Sequence, residues 1–221
     1  MSLIEELKRV LGDQNVLTGD DKERYSSDWL GQYRFEPLCV VRPASTEEVS
    51  KVVRLAGSFQ VNIVPVGGNT GLNGGTHSDD AISISMERMN KICEIRLNSK
   101  IAIVEAGVIL SNLHQLVNEN DLMFPLTFGA RGSATIGGVL STNAGGSNVV
   151  KYGNTRDLVL GVEIVLPSGE IMDLMSELHK DNSGYCLRDL VIGAEGTLGI
   201  ITKAVVKLFP KPKAYATAMI A

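Results

Sequence analysis

Hydrophobic and polar positions along the chain follow two periods. Leu3, Ile4, Leu7, Val10 and Leu11 recur at the spacing of one helix face, with Ser2 and Glu5 ahead of them in capping-box register. Ser45 and Glu48 repeat the cap before Val49, Val52, Val53 and Ala56, and Leu110, Leu113, Leu116 and Val117 make a third helical stripe. Between these segments lie short β-like runs at 38–41, 61–66, 81–86, 92–97 and 101–106. Further on, "GVEIVLPSGEIMDL" (161–174) alternates across a Pro-Ser-Gly turn and predicts a hairpin. Residues 185–191 predict a short helix and "GIITKAVVKLF" (199–209) a long strand. The order αβαβββ, then βα, then mostly β, indicates an α+β fold rather than the strict βαβα alternation of a doubly wound sheet. A division near Asn98–Lys100 would give two subdomains, 1–98 and 99–221. The closing run "YATAMIA" begins another strand-like element and stops at Ala221, so the chain is expected to be a piece of a longer protein.

Composition narrows the function classes. The 221 residues allow one large domain or two small ones. Twenty-one basic against twenty-five acidic residues, a net charge of −4, argue against nucleic acid as the main partner. No apolar run approaches the ~18 residues of a membrane span. The N-terminus lacks the basic n-region of a signal peptide and the Arg-rich, acid-poor character of a transit peptide, so a cytoplasmic protein is expected. Cys39, Cys93 and Cys186 are far apart, with no C-x-x-C, and suggest neither a disulfide framework nor a metal site; they read as small buried apolar residues.

Glycine changes the picture most. "PVGGNTGLNGG" (65–75) follows the apolar run 61–66 directly, "PLTFGARGSATIGGVLSTNAGG" spans 125–146, and "GAEGTLGIIT" spans 193–202. No G-x-G-x-x-G and no G-x-x-x-x-G-K-[ST] occurs, and the first segment leads into a polar turn (76–80) and a strand rather than a helix. A Rossmann or P-loop helix is therefore not the device. The physical alternative is a nest, in which successive backbone N–H groups converge on an anion without a cationic side chain. Small residues permit close approach, Asn and Thr add donors, and two such loops suit a pyrophosphate better than a single phosphate.

These segments, with "STNAGGSNVVKYGNT", "LGVEIVLPSGEI" and "GAEGTLGIITKAVVKLFPKP", resemble in order and spacing the FAD-binding domain of the vanillyl-alcohol oxidase/p-cresol methylhydroxylase flavoprotein superfamily. The "GGNTG" Asn-Thr, "FPL" (124–126) and "KDNSGYCLRDLVIGAEGTLG" (180–199) resemble its D-2-hydroxy-acid dehydrogenase branch, whose members act on D-2-hydroxyglutarate, D-lactate or glycolate. The likeness runs from about Ser27 to the end. It implies a two-subdomain FAD-binding domain of the p-cresol methylhydroxylase type. The first pyrophosphate loop falls on Gly67, Gly68, Asn69, Thr70 and Gly71, entered at Pro65 and left at Leu72. The second cofactor segment falls on Pro125, Leu126, Gly132, Ser133, Ile136, Gly137 and Gly138 and continues through Thr142, Asn143 and Gly145. Gly196, Gly199, Ile200 and Ile201 are implied to line the adenosine or the edge of the ring. Asn69 stands where some members carry a flavin-linked His, and 125–146 has no Cys, so noncovalent FAD is implied.

The implied reaction moves a hydride from C2 of a D-2-hydroxy acid to flavin N5, with an electron-transfer flavoprotein or a quinone as the kind of acceptor. The substrate-binding half of such enzymes, with its metal-binding His motif, carboxylate-binding Arg residues and flavin-proximal His, has no counterpart in these residues. No catalytic residue and no metal ligand is assigned here. Two other readings stay open: a flavin reductase of cell-wall nucleotide-sugar synthesis, which the "NTGLNGG" loop fits less well, and a non-catalytic flavin- or nucleotide-binding module. His77, His114 and His179 share no ligand spacing, and His114, on the flank of its helix, reads as solvated. Lys180, Asp181 and Asn182 read as a surface turn, and Trp29 and Tyr33 stand in a Gly-containing loop.

Overall fold

The computed structural model describes residues 2–219. Helix α1 (Leu3–Leu11) carries the expected capping box: Ser2 Oγ accepts from the Glu5 N–H (3.3 Å) and the Glu5 carboxylate from the Ser2 N–H (2.7 Å). A short 3-10 turn leads to β1 (Val16–Leu17). A longer 3-10 stretch (Gly19–Tyr25) and an open loop precede β2 (Cys39–Val41). Helix α2 (Thr46–Phe59) is capped by Ser45, but Glu48 reaches one residue further back than expected and takes the N–H of Ala44 (2.7 Å). Strands β3 (Ile63–Val66) and β4 (Ile82–Ser85) complete a four-stranded sheet of order β1-β2-β4-β3.

In this sheet β2 and β3 both run parallel to β4, with Val41 opposite Ile84 and Val66 opposite Ser85. The α+β class holds for the whole chain, yet its first sheet is built around a β2-α2-β3 unit with β4 inserted between the strands. Parallel neighbours need a long crossover, ordinarily a helix. Between β3 and β4 that crossover is the glycine-rich segment itself, residues 67–81. The N–H groups of Ile82 and Met86 donate to the carbonyls of Asn62 and Val66, so the even positions of β3 face β4. Pro65 therefore points its missing donor off the open edge, where a sheet tolerates proline.

Residues 86–91 carry the chain to a second sheet. It contains β5 (Ile92–Arg96) and β6 (Ile101–Glu105), followed by helix α3 (Leu110–Asn118), β7 (Leu122–Met123), helix α4 (Ile136–Ser141) and the short α5 (Val149–Tyr152). Then come β8 (Val159–Val165), β9 (Ile171–Leu174), helix α6 (Leu187–Val191), β10 (Ile200–Lys207) and β11 (Phe209–Pro210), which pairs with β7. The five-stranded sheet is antiparallel, in the order β5-β6-β10-β8-β9. Asn98–Lys100 thus lies in the turn joining β5 to β6, inside this sheet, and the chain passes between sheets at residues 86–91.

Two large clusters make up most of the core. Leu7, Leu11, Val49, Val52, Val53 and Ala56 pack α1 and α2 on Ile82 and Ile84, in a cluster that also takes in Val165 and Ile200 of the second sheet. The other core surrounds Val104, Leu113, Phe124, Ile136, Leu140, Ile164 and Val206. Each valine, leucine, isoleucine or phenylalanine side chain so buried contributes roughly 1.5–3 kcal/mol. Polar contacts also tie α2 to the second sheet. Glu163 Oε1 accepts from Thr46 Oγ1 (2.5 Å) and Thr202 Oγ1 (2.8 Å) and pairs with Lys203 (3.1 Å). Ser50 Oγ donates to the carbonyl of Gly169 in the β8–β9 turn (2.5 Å).

Three expectations need correction. Residues 214–219 form no strand; Tyr215 and Met219 are exposed, while Ile220 and Ala221 lie outside the described residues. Cys39 is buried, with its thiol pushed up to about 11 by burial, but Cys93 and Cys186 are exposed. His114 is half-buried and its Nε2 has no partner among the described residues. No described helix is long and apolar enough to cross a membrane.

Candidate functional site

A groove of about 540 Å³ opens at the carboxyl ends of β3 and β4, facing α4 and the start of β10. Its position obeys the rule that ligands of parallel sheets bind outside the carboxyl ends of the strands. Of the expected residues, Pro65, Gly67, Gly68, Asn69, Thr70, Gly71 and Leu72 line one side; Gly137, Gly138 and Thr142 line another; Gly199, Ile200 and Ile201 form the third.

The first loop is rigidly mounted. Asn69 adopts a left-handed conformation (φ 49°), donates through Nδ2 to Ser27 O (2.7 Å) and accepts at Oδ1 from Thr76 Oγ1 (2.8 Å). The loop at 27–34 lies against it, held by the buried Asp28, which accepts from the N–H groups of Leu30 and Tyr33. Tyr33 packs its ring against Gly74. Among the described residues, no backbone N–H from Gly67 to Leu72 donates to a protein acceptor. That row of free donors, in a loop containing a left-handed residue, is the equipment of an anion nest.

Helix α4 makes a different contribution. Its first N–H groups are already used: Ile136 donates to Val108 O, Gly137 to Ala106 O (2.7 Å) and Gly138 to Thr135 Oγ1 (3.3 Å). Glycines of the helix and of the first loop instead let the backbones approach. A Cβ on Gly68 would collide with the Ser133 carbonyl, one on Gly67 with Thr135 Oγ1, and one on Gly137 with Ala106. Gly71, by contrast, faces open space.

The remaining expected residues stand behind the wall. Pro125, Leu126 and Ile136 are buried, Leu126 and Ile136 within the second core. Gly132 and Ser133 are exposed beyond the Gly68 contact. Asn143 Oδ1 accepts from the Arg156 N–H (2.9 Å), Gly145 backs onto Asn154, and Gly196 (φ 82°) fits under Pro65. The groove also gathers residues that sequence reading missed, chiefly Met86, Phe128, Thr135, Ser141 and Glu195. Among the described residues no lysine, arginine or histidine lines it, and Glu195 is its sole acidic or basic side chain. His114 lies apart, its ring tilted against Phe124, and burial lowers its pKa.

The residues present fit a flavin dinucleotide. Free N–H groups suit a diphosphate, side-chain-poor walls admit close backbone approach, and Met86, Phe128, Ile200 and Ile201 offer apolar surface to flat rings. Residues 37–175 match the family described as an FAD binding domain, and the chain belongs to that family. It is accordingly an FAD-binding α+β domain of the p-cresol methylhydroxylase type. The chain is 43% identical over 193 residues to D-2-hydroxyglutarate dehydrogenase of Xanthomonas citri pv. viticola, covering 87% of this chain and 41% of that protein. It is 40% identical over 218 residues to the mitochondrial D-2-hydroxyglutarate dehydrogenase of Arabidopsis thaliana, covering 97% and 39%. An alkyldihydroxyacetonephosphate synthase structure superposes with a TM-score of 0.85 at 26% identity, covering 96% of this chain and 41% of that one. The chain thus spans about two fifths of the length of these curated relatives.

Proposed function

We propose that this chain is the cofactor-holding part of a flavin-dependent dehydrogenase that oxidises a D-2-hydroxy acid, such as D-2-hydroxyglutarate or D-lactate, to the 2-oxo acid. The observation that carries the reading is the row of free backbone donors from Gly67 to Leu72, set in a chain about 40% identical to D-2-hydroxyglutarate dehydrogenases. In this reading Gly67–Leu72 hold the diphosphate, while Gly137, Gly138 and Thr142 face it and Gly199–Ile201 pack beside the rings. Pro125, Leu126, Gly132, Ser133, Ile136, Asn143, Gly145 and Gly196 keep those walls in place. Bound FAD supplies the two-electron acceptor for the substrate hydride. The chain's own work is to bind and orient it and to shield one side from water. Substrate carboxylate recognition falls to residues outside this chain, and an electron-transfer flavoprotein or a quinone fits as acceptor. Three unpaired cysteines suit a reducing compartment; in this reading it is the cytoplasm, although the plant relative is named mitochondrial.

The test is titration of FAD into the purified 221-residue chain, followed by a dye-coupled assay with D-2-hydroxyglutarate and D-lactate. Saturable FAD binding without turnover is expected, because near-attack ordering of the substrate is missing. Absence of FAD binding overturns the reading, and turnover by this chain overturns its division of labour.

A further inference from the structure

Strand β10 carries a bulge where it meets the groove. Ile201 and Lys203 stand opposite Ile164 and Glu163, which are neighbours on β8, so Thr202 is one residue too many. The extra residue reverses the alternation of faces along the strand. Ile201 and Ala204, three apart, both belong to the core of the second sheet, while Ile200, opposite Val165, joins the other cluster. Ile200 and Ile201 form a wall of the groove. A one-residue slip that removed the bulge would turn both onto the wrong faces.

Glu163 fastens this bulge from behind the wall. Thr202, fully buried, donates through Oγ1 to Glu163 Oε1 (2.8 Å), and the same oxygen pairs with Lys203 (3.1 Å). Glu105, the partner of Lys203 on β6, is engaged elsewhere, by the Lys91 N–H (2.8 Å). Bonds to a carboxylate are stronger than bonds to a neutral acceptor. Thr202 also reaches the facing wall: its carbonyl accepts from the Ala106 N–H (2.9 Å), and the Ala106 carbonyl accepts from the Gly137 N–H (2.7 Å). Thr46 Oγ1, bound to the same Glu163 oxygen (2.5 Å), leads instead to α2, none of whose described residues lines the groove. We infer that Glu163 is a positioning residue for the bound dinucleotide, acting through Thr202 to fix the bulge that aims Ile200 and Ile201 and the contact that seats Gly137. This rests on the FAD-binding reading above.

The test measures melting temperatures of the 221-residue chain and, well below them, its dissociation constants for FAD by flavin fluorescence. Thr202→Val keeps the shape of the side chain and loses the bond to Glu163. Its FAD affinity is expected to fall about 10-fold, the loss of one hydrogen bond to a charged acceptor. Thr202→Ser keeps the hydroxyl and should restore wild-type affinity. Thr46→Val loses a bond to the same carboxylate oxygen, so it should lower the melting temperature and leave FAD affinity unchanged. A merely structural Glu163 would show lower melting temperatures in both valine variants and altered affinity in neither. Glu163→Gln loses the charge and the Lys203 pair; it should weaken FAD binding as Thr202→Val does, and it decides the matter if Thr202→Val does not fold. Unchanged affinity in the deciding variant, an equal loss in Thr46→Val, or no rescue by Thr202→Ser overturns the inference. A wild-type chain that fails to bind FAD at all instead overturns the proposed function.

Discussion

The Ser133 carbonyl occupies the place where Gly68 would carry a Cβ. The first glycine-rich loop therefore lies directly on the second, backbone against backbone. Gly68→Ala should force the two loops apart and destabilise the domain by about 1–3 kcal/mol, the usual cost of overpacking. Gly71→Ala meets open space and should leave stability within about 0.5 kcal/mol. Denaturant melts of both variants check this, and equal stabilities would remove the loop-on-loop contact from the account.

Asn69 braces its loop through Ser27 O and Thr76 Oγ1. It is committed to the protein and is not a nucleophile, so FAD should leave with acid or heat and no flavin fluorescence should follow the denatured chain in a gel. Asn69→Ala should cost about 1–3 kcal/mol of stability through the lost side-chain hydrogen bonds and weaken FAD binding with it.

Glu87 gathers Arg24, Tyr25 and Arg42 beside Met86 at the groove edge. Burial opposes its charge, but the Tyr25 hydrogen bond and the two arginines prevail and hold its carboxyl below the ordinary 4.5. A carboxyl depressed on folding stabilises above that ordinary value, and the contribution is lost as pH falls through the folded value. Glu87→Gln should therefore be less stable than wild type at neutral pH, with the gap closing on acidification. A gap independent of pH would show that the contacts act through packing alone.

His114 works through the same linkage. Burial lowers its pKa beneath the ordinary 6.5, and its Nε2 is buried without a partner among the described residues. The unfolded chain takes the proton first, so wild type should lose stability as pH falls below 6.5 until the folded form protonates as well. His114→Leu should flatten that limb and equal or exceed wild type in stability near neutral pH. Urea midpoints across pH 5–8 decide the matter.

Elements that explain themselves locally were legible in the sequence. Ser2, Glu5 and Ser45 announce helices because a cap and an apolar stripe need only neighbours, and the 161–174 hairpin carries its turn within it. Helix α4 was not legible, since two glycines in "TIGGVL" disfavour a helix by propensity. It forms because Thr135 caps it and because Gly137 lets it close on Ala106, an element distant in sequence. Strands β1, β7 and β11, two residues each, are too short to show alternation. The groove's glycine-rich walls could be read in advance as motifs. Thr135 and Glu195 stand inside those motifs without being singled out, and Met86 arrives there through the pairing of β4, which no local pattern encodes. His114 misled because a position on the flank of a helical stripe does not reveal that Phe124 returns to cover it.

Strand β10 lies between β6 and β8, and the register partners of Val205, Ile103 and Gly161, both precede it in the chain. The first sheet has every strand in hand once Ser85 has been made. During synthesis, then, the amino-terminal unit is free to assemble early, whereas β6 and β8 have unpaired edges until β10 leaves the ribosome. Nascent chains that still hold β10 inside the ribosome would present those edges to chaperones and to one another, while chains long enough to have released Lys207 would not.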